Sequence, residues 1–463
     1  MSGKAQLFSD LKSLKQLFGR QSSEVNRSSI VAKNIAFSLV IKGGSILSNF
    51  LLVPLTLGIL DPTKYGIWIT LSSIIGWFSF FDIGLSNGLR KFYTEAKVNG
   101  NMALAREYVS TTFSLLLMIL LAVDVLFFIV NRFIDWTVIL NCDKGLRGEL
   151  AILSSIVFYA FSFKFIANIV SQLLIADLRT ALNDFLNFLG NFLTLLFIIF
   201  LKFSHKGNLL SLGLAYSIIP VVVFFIATDF LFRTSYKAVK PNIFHIEKVH
   251  VSKLFNLGFK YFFLQITAII LLTSQNLIIS QLFGPAEVTP YNIAYKYFSL
   301  IFVVYSIIIG PLLPAYTQAY FSRDLDWIRR ITGKFLRICY LFFILIVVMI
   351  VLSGTFYALW VGKSVSIPFL LTLVIGLLNM MHIWNSLYLP LINGIGKIQI
   401  QLIGSIFTVV LIIPLSIVLC KYTPMGISGV VFAQFILLIP GLWINKIQFH
   451  RLANNTAHGI WNR

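Results

Sequence analysis

About a dozen long apolar stretches, parted by short basic loops, leave this chain few ways to fold. They fall at roughly 35–60, 66–89, 109–130, 150–175, 180–201, 209–232, 255–283, 291–320, 335–360, 365–392, 399–420 and 426–446. A helix needs about 20 apolar residues to cross a bilayer, and each stretch supplies that length. Of the 463 residues, 58% are hydrophobic and 12% charged. An ordinary soluble domain is roughly 45–50% apolar and about 25% charged, so a soluble fold cannot hide this much apolar surface. The expectation is an all-α polytopic membrane protein of about 12 transmembrane helices.

Charge placement sets the expected orientation. The net charge is +20. Its basic residues are spread over loops rather than gathered into a patch, which excludes a nucleic-acid partner. Most fall on one side of the expected spans, among them Arg90, Lys91, Lys97, Arg106, Lys237, Lys240, Arg329, Arg330 and Lys334. Cytoplasmic loops carry such an excess, so both termini are expected in the cytoplasm. Residues 1–34 are read as a basic amphipathic segment. Leu7, Leu11, Leu14 and Phe18 recur at helical spacing among Lys4, Lys12 and Lys15, as in a helix lying on the membrane surface. The N-terminus lacks the pattern of a cleavable signal peptide. Cys142, Cys339 and Cys420 lie far apart in no ligand spacing, so neither a disulfide framework nor a metal site is expected. No cofactor motif is present, and no enzymatic constellation stands out.

The chain is written twice. Residues 57–67 read LGILDPTKYGI and residues 283–293 read FGPAEVTPYNI. Gly58, Thr63, Tyr65 and Ile67 match Gly284, Thr289, Tyr291 and Ile293 at one common offset. Two lobes in the same orientation follow: 35–232 as an N-lobe of six spans, 233–254 as a basic cytoplasmic linker, 255–447 as a C-lobe of six spans, and 448–463 as a tail. A substrate site is expected between such repeats.

Three lysines fall inside apolar stretches: Lys42, Lys164 and Lys296. A charge at bilayer depth costs from a few to more than ~10 kcal/mol, so these residues are expected to face a polar interior. If all three face one cavity, they form a cationic ladder across the membrane. Polar residues share helical faces with them or with other spans, including Asn49, Asp82, Asn87, Asn168, Asn276, Asn292 and His382. Interhelical hydrogen bonding is the alternative for such residues. Asp124 lies deep in its span with no neighbour in sequence to pair with. It is the candidate for a coupling H+ or Na+, or for pairing with Lys164.

Tyr65-Gly66-Ile67-Trp68, followed by Phe81-Asp82-Ile83-Gly84-Leu85-Ser86-Asn87-Gly88-Leu89-Arg90, resembles the polysaccharide-transport family. These are O-antigen and capsule repeat-unit flippases of the multidrug/oligosaccharidyl-lipid/polysaccharide exporter (MOP) superfamily. The resemblance implies a two-lobed, MATE-like bundle in the bacterial inner membrane. It implies translocation of undecaprenyl-diphosphate-linked oligosaccharide through a cationic lumen, with no enzymatic activity. The expected partners are that lipid-linked diphosphate, membrane lipids, a polysaccharide polymerase and a chain-length regulator. Lys42, Lys164, Lys296 and Arg90 are then the candidate substrate-binding cations. Lys and Arg suit phosphate because they form charge-assisted hydrogen bonds. Rival readings are a multidrug/cation antiporter of the same superfamily, a peptidoglycan-precursor lipid flippase, and a membrane glycosyltransferase or polymerase.

Overall fold

The computed structural model describes residues 25–78, 85–177, 179–242, 251, 270–271 and 273–462, with side chains for all of these except 25–39, Asn87 and Pro314. The described residues are mostly helical and contain no strand. The helices are α1 (Val25–Leu57), α2 (Pro62–Gly76), α3 (Leu85–Val98), α4 (Met102–Asn131), α5 (Arg147–Ala167), α6 (Ile169–Ala176), α7 (Thr180–Phe203) and α8 (Leu209–Arg233). They continue with α9 (273–283), α10 (Val288–Ile309), α11 (Leu312–Phe321), α12 (Leu325–Trp360), α13 (Phe369–Gly394), α14 (Gln399–Tyr422) and α15 (Ser428–Ala453).

Among the described residues, 10 helical segments are long and apolar enough to cross a membrane. They coincide with ten of the expected spans. The other two, 66–89 and 255–283, are described only in part. The first appears as α2 and α3 on either side of 79–84, the second as α9 and two residues before it. The amphipathic segment expected before residue 25 lies outside the described residues, as do Asp82 and most of the expected 243–254 part of the linker.

Local chemistry accounts for the helix ends. Asp61 caps α2 by accepting from the Lys64 amide at 2.8 Å, and Pro62 occupies the first turn, where its missing N–H costs nothing. The stretch expected to run unbroken over 291–320 is two helices. It breaks at Gly310-Pro311, because proline cannot donate to the preceding turn and its ring clashes there. The stretch over 150–175 also breaks, at Asn168, with no proline to signal it.

The helices sort into two groups. α1 packs along α7, and α8 lies against α5 and α7. Gly44 makes the first contact close: a β-carbon there would stand 2.9 Å from the Phe188 ring. In the C-terminal half α15 packs against α13 and α14, and α13 also meets α10, α11 and α12. The halves meet chiefly where α2 and α1 face α10 and the Pro285–Glu287 turn before it. The two copies of the repeated segment therefore touch each other.

Candidate functional site

The contact between the repeats is close. A β-carbon on Gly66 would stand 1.7 Å from the Pro285 carbonyl oxygen, so only glycine permits this approach of α2 to the turn. Thr289 Oγ1 donates to the Pro62 carbonyl at 2.6 Å. Deeper along the same seam, Asn276 Nδ2 donates to Ser73 Oγ at 2.7 Å, and Asn292 Nδ2 donates to Asn276 Oδ1 at 2.8 Å. Trp77 Nε1 donates to Thr273 Oγ1. Near the first turn after α4, Asn141 Nδ2 donates to the Ser280 carbonyl at 3.0 Å, and Ser280 Oγ donates to the Leu140 carbonyl at 2.7 Å. At this end of the molecule, the end where α1 gives way to α2, the halves are stitched together by hydrogen bonds.

Beyond the seam a cavity of about 310 Å³ opens between α1 and α10. Its wall from α1 includes Lys42, Ser45, Asn49 and Phe50, and its wall from α10 includes Lys296 and Ser299. Lys42 and Lys296 thus come from opposite halves of the chain into one cavity. The Phe50 ring stacks on Trp360 with centroids 3.7 Å apart and planes 7° from parallel. Trp360 Nε1 also donates to the Phe50 carbonyl at 3.1 Å, so α12 clamps the α1 wall.

Lys42 has a counter-charge that hydropathy alone did not disclose. Its ammonium lies 3.6 Å from Asp184 Oδ2 on α7. Asn191, two turns further along α7, donates to Ser45 Oγ at 3.2 Å. Asp184, Asn187 and Asn191 make a polar row on α7 beside the α1 wall. Their i, i+3, i+7 spacing was the signal that could have found them. No described carboxylate lies within ion-pair distance of Lys296.

The remaining candidates fall elsewhere. Lys164 does not line this cavity. It is half-buried on α5, with its ammonium 5.8 Å from the centroid of the Phe224 ring of α8. Of the three lysines, this cavity therefore brings together Lys42 and Lys296. Asp124 accepts from Ser162 Oγ at 2.7 Å and does not pair with Lys164. Asn276 and Asn292 belong to the buried seam and not to the cavity wall. His382 lies on α13, its ring 6.1 Å from that of Phe302. Asn168 is exposed at the break between α5 and α6, and Arg90 is exposed on α3. Asn87 sits on α3, and its side chain, like residue Asp82, is outside what is described.

This multi-pass helical membrane protein, with a lysine-bearing cavity between its two halves, has the fold of the MATE transporters of the MOP superfamily. A MATE-family multidrug resistance transporter solved in an inward-facing conformation superposes with a TM-score of 0.74 at 15% identity, covering 91% of this chain and 100% of that one. Curated relatives narrow the comparison. A putative O-antigen transporter of Salmonella typhimurium is 20% identical over 78% of this chain and 85% of its own length. A putative O-antigen export protein of Yersinia pseudotuberculosis is 21% identical over 77% of this chain and 81% of its own length. No family model matches the chain. Together these likenesses give the chain a MATE-like fold and relatives whose names describe O-antigen transport or export.

Proposed function

We propose that this protein is a flippase that carries undecaprenyl-diphosphate-linked oligosaccharide from the inner to the outer leaflet of the bacterial inner membrane. The observation that carries this reading is the convergence of Lys42 and Lys296, from opposite halves, on one cavity. A diphosphate presents oxygen acceptors that two ammonium groups can engage at once. Ser45, Asn49 and Ser299 offer hydroxyl and amide groups to the first sugars. The polyprenyl chain stays in lipid while the polar head crosses between the halves. The names of the curated relatives support an oligosaccharide cargo.

Alternating access would proceed by parting the hydrogen-bonded seam at Ser73, Asn276 and Thr289 while the opposite end closes. Asp124, a carboxylate within α4 held by one serine hydroxyl, is the candidate for a coupling H+ or Na+. Arg90, exposed on α3, would meet the anionic head before it enters. The cation/drug antiporter reading, which the fold alone also allows, is disfavoured because a wall bearing two lysines repels cationic cargo.

The test is complementation. In cells that assemble a lipid-linked repeat unit but lack their own flippase, expression of this chain restores surface glycan and leaves drug susceptibility unchanged. Restored drug efflux without surface glycan would replace this reading with the antiporter.

A further inference from the structure

The C-terminal half holds a second cavity, of about 440 Å³, between α12, α13 and α15. Its walls are apolar and aromatic: Phe343, Met380, Trp384, Phe435 and Trp443. One charge stands among them, Lys446. Its ammonium lies 5.4 Å from the centroid of Trp384 and 5.9 Å from that of Trp443, so it sits between two indole faces. Trp384 is held in turn by Phe343, whose ring stacks at 6.4 Å, and by Tyr388, edge-on at 5.6 Å. Asn445 Nδ2 donates to Asn385 Oδ1 at 2.8 Å, which pins α15 to α13 at the level of the lysine.

The setting defines the ligand. Lys446 lies seven residues before the end of α15, about 10 Å along its axis at 1.5 Å per residue. Tryptophans with one polar edge and a lysine with an apolar stem are the residues that mark the headgroup boundary of a bilayer. Trp443 is 63% exposed, so the groove opens on the lipid-facing side. No described carboxylate is within ion-pair distance of Lys446. Arg451 in the last turn of α15 adds positive charge at the same end. The geometry points to a binding site for one anionic glycerophospholipid, its phosphate on Lys446 and an acyl chain in the Phe343–Phe435 groove. This site shares no lining residue with the cavity of Lys42 and Lys296, and it stands whatever the cargo of that cavity is.

Bromine on an acyl chain quenches a tryptophan it touches. The full chain is reconstituted in vesicles of phosphatidylcholine with brominated phosphatidylglycerol, or with brominated phosphatidylcholine as the neutral control. The wild type is expected to show about fivefold preferential quenching by the anionic lipid, the magnitude that one lysine near an anionic surface provides. Trp384→Phe with Trp443→Phe removes the preferential component, which separates it from the other tryptophans. Lys446→Gln abolishes the preference, and Lys446→Arg, which keeps the charge and folds as readily, retains it. Equal quenching by the two lipids in the wild type overturns the proposal, as does a preference that persists in Lys446→Gln. Protection of these tryptophans from both lipids, rising with protein concentration, overturns it in favour of a contact between copies of the chain.

Discussion

Lys42 on α1 and Asp184 on α7 stand 3.6 Å apart within the N-terminal half, and Lys42 lines the cavity that Lys296 enters from the other half. Under the proposed function, an incoming diphosphate would have to share Lys42 with this carboxylate. Such competition would favour release, because Asp184 would take the lysine back when the phosphate leaves. Asp184→Asn is therefore expected to tighten equilibrium binding of a fluorescent polyprenyl-diphosphate oligosaccharide about two- to fivefold, the scale of a partly exposed ion pair, and to slow turnover. Weaker binding in this variant would mean that Asp184 orients Lys42 rather than competing for it.

The seam makes a separate prediction. Asn276 accepts from Asn292 and donates to Ser73, so it links two buried amides of the C-terminal half to a hydroxyl of the N-terminal half. A double-mutant cycle of Ser73→Ala and Asn276→Ala, read by denaturant unfolding, is expected to give a coupling of about 0.6 kcal/mol, typical of hydrogen bonds between membrane helices. Strict additivity would show that the two halves do not share this bond in the membrane.

Gly66 offers a steric test at the same end. With alanine, the new methyl would meet the Pro285 carbonyl at 1.7 Å, and backbone on both sides must move. Overpacking of this kind costs about 1–3 kcal/mol. Gly66→Ala is expected to lower the midpoint of thermal unfolding by several degrees, whereas Gly76→Ala, which meets nothing within 4 Å, is expected to leave it within about a degree. Equal midpoints for the two variants would contradict the close approach.

Cys142 reports on the turn that follows α4, outside the membrane spans. Burial first, then the charges of Asp143 and Asp135, push its thiol up to about 11. The raised value keeps the thiolate scarce at neutral pH, and its fraction grows about tenfold per pH unit until the pH nears that value. Maleimide labelling of Cys142 is expected to be far slower than that of a free thiol at pH 7 and to accelerate up to pH 10. Asp143→Asn is expected to speed it. Labelling at the free-thiol rate near neutrality would show that the turn opens to water.

Sequence reading reached the helical, multi-span architecture because hydrophobic length is a local signal. The repeat in residues 57–67 and 283–293 was legible too, and the fold presses its two copies together. The cavity was legible only in part. Lys42 and Lys296 stood out by their cost in lipid, but that they share a wall depends on how α1 and α10 face each other. Asp184 was visible as a residue and not as a partner, since pairing across α1 and α7 is set by packing. Lys164 looked equivalent to the other two by hydropathy, yet its neighbour is the Phe224 ring on α8. Asn276 and Asn292 read as cavity polar groups, and interhelical hydrogen bonding, the alternative for such residues, is what the seam uses. The break at Gly310-Pro311 carried its proline signal, while the one at Asn168 carried none.

The central claim is that Lys42 and Lys296 together hold the anionic head of the cargo. The most direct measurement is translocation of a fluorescent polyprenyl-diphosphate oligosaccharide in proteoliposomes, comparing Lys42→Gln, Lys296→Gln and Lys164→Gln at equal protein content. Loss of one charge-assisted contact costs about 1.5–3 kcal/mol, so the first two variants are expected to lose roughly tenfold or more in rate. Lys164→Gln is expected to stay within about twofold of the wild type, since a cation resting on an aromatic ring contributes little to a cavity it does not line. Wild-type rates in Lys42→Gln and Lys296→Gln, or an equal loss in Lys164→Gln, would contradict the account.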